Sequence, residues 1–487
     1  MYKSRKGQQS MLEDARVFGG RLELDMSNEW VTSAKLIPWE AFEEEYAATF
    51  TRKATGNVAI GARMALGTLL IKERYQFSDE DIVKEVQMNP YLQHFIGLPE
   101  FRHKAPFDAS TITLFRKRVT PEMLAKLNDY IIGMNRGEAE PPAIPPAEGS
   151  GEGAAPTVEK NKGTLTLDAT CAPQGIRYPT DVSLLNGARE LLEKMVTAGY
   201  KAGGWEEKPR TYRRTARRDY LRFARNRKPS IKQIRKALRQ QLGYVGRDIR
   251  YIQELLDRNP QMLLKPMLEQ FETIKKLFDQ QNEMYQDKKH RVEDRIVSIH
   301  QPWVRPIVRG KANAPVEFGA KIEVSLYEGY ARVEDLRWDA FNEGGTLQES
   351  VERFKEATGY YPERILADKL FRTRDNLQFC KEHGIHLNGS KLGRPPKDLS
   401  LYRFQCRQER LEAAERNAIE CTFGVGKRRY SLGYITMKLQ HTSEVAIHLV
   451  FLSMNLQKRL RSLFIAFFRS WFSMLFSTDD LTGYFVL

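Results

Sequence analysis

An α/β core preceded by an all-helical module is the fold class this sequence predicts, on three observations. Residues 1–136 carry repeated helix-start signals. From Gly163 onward, short β-branched runs alternate with amphipathic stretches of helical period. Between the two, Gly137–Gly163 contains EAEPPAIPPAEGSGEGAAP, rich in Pro, Gly, Ala and Glu and almost without large apolar residues. That composition predicts a flexible, partly extended linker and makes residues 1–136 a separate module.

Length and composition agree with this division. The chain has 487 residues, 41% hydrophobic and 29% charged, a globular composition with room for more than one core. A mainly disordered chain, a collagen-like chain and a disulfide-stapled mini-protein are excluded. Cys171, Cys380, Cys406 and Cys421 are too widely spaced for a disulfide framework or a zinc clip, so reduced thiols of a cytoplasmic protein are expected. The polar N-terminus lacks the apolar core of a signal peptide. Phe464–Phe476 is apolar but only 13 residues long and contains Arg469. It is short for a bilayer, which needs about 20 residues, so residues 461–487 read as a packing or partner segment. The balance of 77 Lys+Arg against 62 Asp+Glu gives +15 and points to a polyanionic partner.

In the first module, Ser78 precedes Asp79-Glu80-Asp81 and the apolar Ile82, Val83 and Val86, a helix start with a capping-box character. Asn89-Pro90 breaks the chain before a short element at Tyr91–Ile96. Ser110 is placed to cap Thr111–Val119, which carries Arg116, Lys117 and Arg118. Thr120-Pro121-Glu122 starts another helix with Pro at its first position. Short helices with one basic end fit a helix-turn-helix-like DNA-binding domain. They fit an ordinary helical bundle with solvated cations equally well.

In the core, Gly163–Thr170 alternates as a strand with Asp168 at its C-terminal end. About Thr180–Ile296 reads as helical, with Leu264, Leu268, Phe271, Ile274 and Phe278 at helical spacing. Strands resume at Val304–Val308, Val316–Tyr327 and Ala331–Arg337. Thr346 caps a helix through Ala357, and Glu363–Asp368 forms a strand ending in Asp. A helix at about Arg374–His383, a short strand at Ile385–Leu387 and a long helix from about Glu409 complete the chain. This is the element order of an RNase H-like fold, a mixed sheet flanked by helices, with a helical insertion at about 184–296 interrupting a catalytic domain of residues 164–460.

Asp168 and Asp368 fall where hydrophobic strands end, the place at which open α/β sheets build their sites. A single strand-end Asp is more often a turn or cap residue. With Glu420 on the later helix, three carboxylates converge on one cleft and suit two Mg²⁺ ions, which Mn²⁺ can replace. Arg416 lies four residues before Glu420 and Lys427 seven after, on one stripe of a continuous helix. Gly424 and Gly426 are where that helix is open to ending early. An i,i+4 surface pair explains Arg416 alone but not Lys427. His383-Gly-Ile-His386 lacks the register of a metal pair and reads as surface histidines.

These segments resemble the DDE transposases of bacterial insertion sequences, in the large group named after insertion sequence five. LTLDATCAPQGIRYPTD, ERILADKLFRTRDN and RNAIECTFGVGKRRY are similar to the segments around the family's three catalytic acids. GKANAPVEFGAKIEVSL, GSKLGRPPK and the N-terminal YQFSDEDIVKEVQMNPYLQHFIGLPEF also look typical, so the likeness covers most of residues 60–460. It implies Asp168, Asp368 and Glu420 as catalytic metal ligands. The family's Tyr-x2-Arg-x3-Glu-x6-Lys signature falls on Arg416, Glu420 and Lys427, with Ala413 standing at the Tyr position. Only 51 residues separate Asp368 from Glu420, too few for the β-rich insertion of some relatives. The implied activity is cleavage at terminal inverted repeats and joining of the 3′-OH to target DNA, with no covalent protein–DNA intermediate. Its implied partners are double-stranded DNA and a second copy in a homodimer, with no membrane or small-molecule substrate, in a cytoplasmic, nucleoid-associated setting. A two-metal endonuclease without joining, or a catalytically silent DNA-binding regulator, remain the alternatives.

Lys208–Arg250 holds 16 Lys/Arg against Asp219 and Asp248, a net +14 in 43 residues, interleaved with Tyr212, Tyr220, Phe223 and Tyr244. Arg210, Arg213, Arg214, Arg217, Arg218, Arg222 and Arg225 recur about every turn, and Lys232 follows. A solvated face normally mixes both signs, so this one predicts phosphate contact. Almost the whole excess charge of the chain is therefore local.

Overall fold

The computed structural model describes residues 17–18, 22–50, 58–133, 161–311, 314–389 and 398–475. Most of the expected linker, most of GSKLGRPPK and the last twelve residues lie outside them.

The first module opens with a two-stranded ribbon, β1 (Val17–Phe18) and β2 (Leu22–Glu23), which departs from the all-helical expectation. Helices follow: α1 (Glu29–Leu36), α2 (Trp39–Ala48), α3 (Ala62–Tyr75), α4 (Asp79–Met88), α5 (Pro90–Phe95), α6 (Thr111–Arg118) and α7 (Pro121–Ile132). Ser78 caps α4 by accepting from the Asp81 amide, and Thr120 caps α7 by accepting from Met123. Ser110 precedes α6 but makes no cap bond, its backbone being already helical at φ −62°, ψ −26°; its amide and hydroxyl donate to Asp108 Oδ1.

The core begins with β3 (Thr164–Pro173). Four helices then form the insertion: α8 (Asp181–Lys201), α9 (Arg213–Ala224), α10 (Ile231–Arg258) and α11 (Lys265–Asp287). Thr180 with Ser183 and Ser230 with Gln233 make reciprocal capping boxes at α8 and α10. Leu192, Val245, Ile252, Phe271, Ile274 and Leu277 close a separate hydrophobic core among them. The chain returns through β4 (Arg305–Lys311), β5 (Ala314–Tyr327), β6 (Tyr330–Arg337), α12 (Leu347–Thr358), β7 (Arg364–Leu366), α13 (Arg374–Glu382) and β8 (His386–Leu387). It ends in α14 (Leu399–Arg429) and α15 (Gln440–Leu475).

The six-stranded sheet is mixed. β5 runs antiparallel to β3 on one side and to β4 and β6 on the other, while β7 and β8 lie parallel to β3. Gly319 permits the β3–β5 crossing, since a Cβ there would lie 2.0 Å from the Ala172 carbonyl oxygen.

The first module is not detached from this core. Val445, Leu449, Leu452 and Leu456 of α15 are buried inside the module's own hydrophobic cluster. On the sheet side, Ala446, Ile447, Val450 and Phe451 of the same helix pack into the cluster holding Val324 and Ile419. Asn455 donates to Asn128 of α7 at 2.7 Å and to the Ala331 carbonyl of β6 at 2.6 Å, and Arg332 pairs with Asp129 at 2.8 Å. One long C-terminal helix thus supplies part of the first module's core as well as part of the sheet's. The same helix crosses the expected boundary at residue 460 without a break.

Candidate active site and nucleic-acid interface

Register brings the first two acids together. β3 and β7 pair in parallel with Thr164 opposite Arg364 and Thr166 opposite Leu366. Two residues further along each chain stand Asp168, inside β3, and Asp368, just past the end of β7, near enough for the Asp368 charge to act on Asp168. β7 stops at Leu366, and Asp368 caps the short 3-10 turn Lys369–Phe371, its Oδ1 accepting from the Lys369 amide at 2.7 Å. Asp168 Oδ1 accepts from Ala169 N at 2.8 Å.

The third acid arrives on α14, which packs across β3 and β7. Ile419 and Phe423 bury that helix in the core, and Arg364 of β7 holds Glu415 at 2.8 Å. Arg416 then reaches Asp168 Oδ2 and Glu420 Oε1, each at 3.3 Å. One guanidinium thus bridges two of the three acids. The helix continues through Gly424 and Gly426 to Arg429, so Lys427 shares the helix of Glu420. Gly426 packs closely on the turn after the helix, where a Cβ would lie 3.0 Å from Leu432 Cδ2.

Burial pushes the Asp168 carboxyl up to about 6; the Ala169 amide and the Arg416 guanidinium pull it back, while Glu343 and Asp368 push it further up. Glu343 is a residue the sequence reading missed. It lies in a 3-10 turn after β6, paired with Lys321 at 2.8 Å. Asn376, almost wholly buried, donates to Gly344 O at 2.7 Å and Phe371 O at 2.8 Å, fastening that turn to the one after Asp368. Nothing in the spacing of Asn342-Glu343-Gly344-Gly345 marks it beyond its position after a strand.

The acids offer only carboxylate oxygens, the donor type hard divalent cations prefer. Among the described residues no three metal-ligating side chains are gathered closely enough to hold an ion as they stand. Glu420 is the outlying member, its side chain 56% exposed and turned to Arg416. The guanidinium supplies the positive charge that an ion would bring. His386, set aside as a ligand, bonds Glu412 at 2.7 Å, and His383 packs on Tyr361 and Phe379. All four cysteines are free thiols.

The basic block forms an outward face. Ala216 is the buried residue of α9, while Arg213, Arg214, Arg217, Arg218, Arg222 and the following Arg225 are exposed, as are Arg210 and Lys232. The helix is anchored at its start. Arg213 reaches the buried Glu193 at 3.3 Å, and the Arg210 and Arg247 guanidinium groups each lie 4.8 Å from the Tyr212 ring. Tyr212 is itself left-handed, with φ +52°. Arg247 also donates to Thr211 O at 2.8 Å, so it positions the helix.

The cations of α6 divide. Lys117 is exposed. Arg116 instead makes a bidentate pair with Asp79 of α4, and Arg118 stacks at 3.8 Å on Phe50. Arg116 and Arg118 are thus each engaged within the module, while Lys117 is open to solvent.

Residues 365–457, spanning Asp368, Glu420 and Lys427, match the family described as Transposase DDE domain. Residues 22–118 match the family described as Transposase domain (DUF772). A curated relative, "Uncharacterized protein ORF8 in nfe locus" of Rhizobium meliloti, is 30% identical over 197 residues, 40% of this chain and 83% of its own length.

The chain belongs to the DDE transposases of insertion sequences.

No solved structure matches the chain. In this transposase Asp168 lies outside both matched segments; the parallel pairing of β3 with β7 brings it near the matched Asp368, whose charge acts on it. Among the described residues no helix is long and apolar enough to cross a membrane.

Proposed function

We propose that this transposase binds the terminal inverted repeats of its element, cleaves a phosphodiester there, and joins the freed 3′-OH to target DNA. Asp168, Asp368 and Glu420 would hold two Mg²⁺ ions. The observation that carries the reading is the approach of Asp168, on β3, to Asp368, two residues past the end of the parallel β7, with Glu420 tied to Asp168 through Arg416. The sheet order supports an RNase H-like core: β4, β5, β6 and β3 pair antiparallel, and two strands, β7 and β8, run parallel to β3. Bound ions would polarise the scissile phosphate and activate the attacking oxygen. The chain's own part is to bring the phosphate there. Arg416 and Lys427 lie on the acid-bearing helix as cations for the backbone near the cut, and the α9 face supplies sequence-independent grip.

Purified protein with Mg²⁺ and a mini-element carrying its ends tests the reading. Strand-transfer products that disappear in Asp368→Asn are expected, with DNA affinity retained. Cleavage without joining would favour an endonuclease, and binding without either would overturn the catalytic assignment.

A further inference from the structure

The strand that carries Asp168 ends at a second feature. Beyond Pro173 the chain enters a groove of about 730 Å³ between the catalytic sheet and the insertion. One wall is α8, whose Ser183, Gly187, Glu190 and Lys194 fall on a single helical stripe. Val297–Gln301, whose Ile299 packs beside Gly187 of α8, and Lys438 and Leu439 also line the groove.

Its chemistry is divided between floor and rim. Ile176, Leu184, Leu191, Val297 and Ile299 make an apolar floor. On the rim, Arg177, Lys194 and Lys438 are exposed, and none of them is ion-paired among the described residues. The lining carboxylate, Glu190, is partly neutralised by Arg189 at 3.3 Å. Tyr178 stands on the same rim, 69% exposed, held edge-on by Phe318 with ring centroids 5.5 Å apart. The outside of a duplex offers phosphate and sugar, which have no use for an apolar floor and a propped aromatic. Unpaired nucleotides offer both a charged backbone and stackable faces.

We infer that this groove binds single-stranded DNA, with Arg177, Lys194 and Lys438 on the phosphates and Tyr178 against an unpaired base. The volume lies within the about 300–1,000 Å³ of ordinary ligand clefts, enough for a short run of nucleotides and too small for a duplex. Gly175 is seven residues beyond Asp168, about 20 Å along the strand. A strand released at the acids reaches the groove within about seven nucleotides at 3.4 Å each. α9 packs against α8, with its Arg213 reaching Glu193 beside the groove-lining Lys194. The inference deepens the transposase reading by giving a freed strand a place to lie.

The test uses the full-length protein in EDTA, with fluorescence anisotropy on a labelled oligothymidine and on a labelled duplex. Tyr178→Ala and the double variant Lys194→Glu/Lys438→Glu are each expected to weaken single-strand binding about tenfold, with duplex binding changed less than about twofold. Benzoyl-phenylalanine at position 178 should crosslink to the single strand. Unchanged single-strand affinity, or equal losses on both ligands, overturns the groove. Arg217→Glu/Arg218→Glu separates this from the wider reading: if that pair loses duplex binding while the groove variants lose nothing, the groove fails and the transposase stands. A wild type that binds neither ligand overturns both. Tyr178 is a rim residue with one aromatic contact, so its truncation tests the site without threatening the fold.

Discussion

Arg416 has two jobs that compete. Its guanidinium lies 3.3 Å from both Asp168 and Glu420 and balances their charge, so a divalent ion entering between them must displace it. Arg416→Gln should therefore tighten Mn²⁺ binding in the absence of DNA, about three- to tenfold by electron paramagnetic resonance titration, while DNA cleavage falls. Unchanged or weaker Mn²⁺ binding would show that the bridge does not oppose the ion. A second residue with a measurable signature is His94. It is buried, with Nε2 unpartnered, and desolvation, helped by Arg63 and Lys35, lowers it to about 4. The unfolded chain takes up that proton near 6.5, so the fold loses stability as pH falls from about 6.5 to about 4 and no further from this group. His94→Phe should flatten that part of the stability–pH profile in thermal melts. A variant with the wild-type slope would count against a neutral His94.

At the scale of elements, what the sequence made legible was whatever local periodicity controls. The strand at Glu363–Asp368 formed as Arg364–Leu366, and Asp368 stood at its end because β-branched and apolar residues stop there. The start of α14 was placed ten residues late. Leu399–Gln408 is mostly exposed, Leu399, Leu401, Tyr402 and Phe404 included, so its apolar residues mark no single buried face, although Asp398 caps it by accepting from Ser400 at 2.8 Å. Pairing across distance was illegible. Arg116 looked like a free cation because its partner Asp79 is 37 residues away. Glu343 gave no signal because its neighbours come from other strands and turns. For α9 the sequence was sufficient: charge of one sign, repeated every turn, produced an exposed cationic face. Arg217→Ala/Arg218→Ala should weaken duplex binding and reduce the log–log salt slope by about 2, read by anisotropy between low and moderate salt. An unchanged slope would mean that these arginines do not touch phosphate.

On the scale of the whole molecule, the modules interlock. Glu73 of α3, buried and pushed above the usual carboxylate range by desolvation, accepts from the Ser431 amide and hydroxyl at 2.8 Å, just past the end of α14. α15 lies between the first module and the sheet. A chain beginning at residue 161 would expose Val445, Leu449, Leu452 and Leu456 to water, at about 1.5–3 kcal/mol for each fully buried side chain. It should aggregate or melt far below the full-length protein in a thermal-shift assay. A soluble truncation with an undiminished melting temperature would mean that the helix does not depend on that cover.

The position of α15 also sets the order of events on the ribosome. The first module is complete in sequence at Ile132, yet its core waits for Val445, some 310 residues later. At about 5–20 residues per second, that is roughly 15 to 60 seconds in which the nascent module lacks one wall. A polypeptide cut short before α15, as a decayed copy of the element would encode, cannot finish that wall.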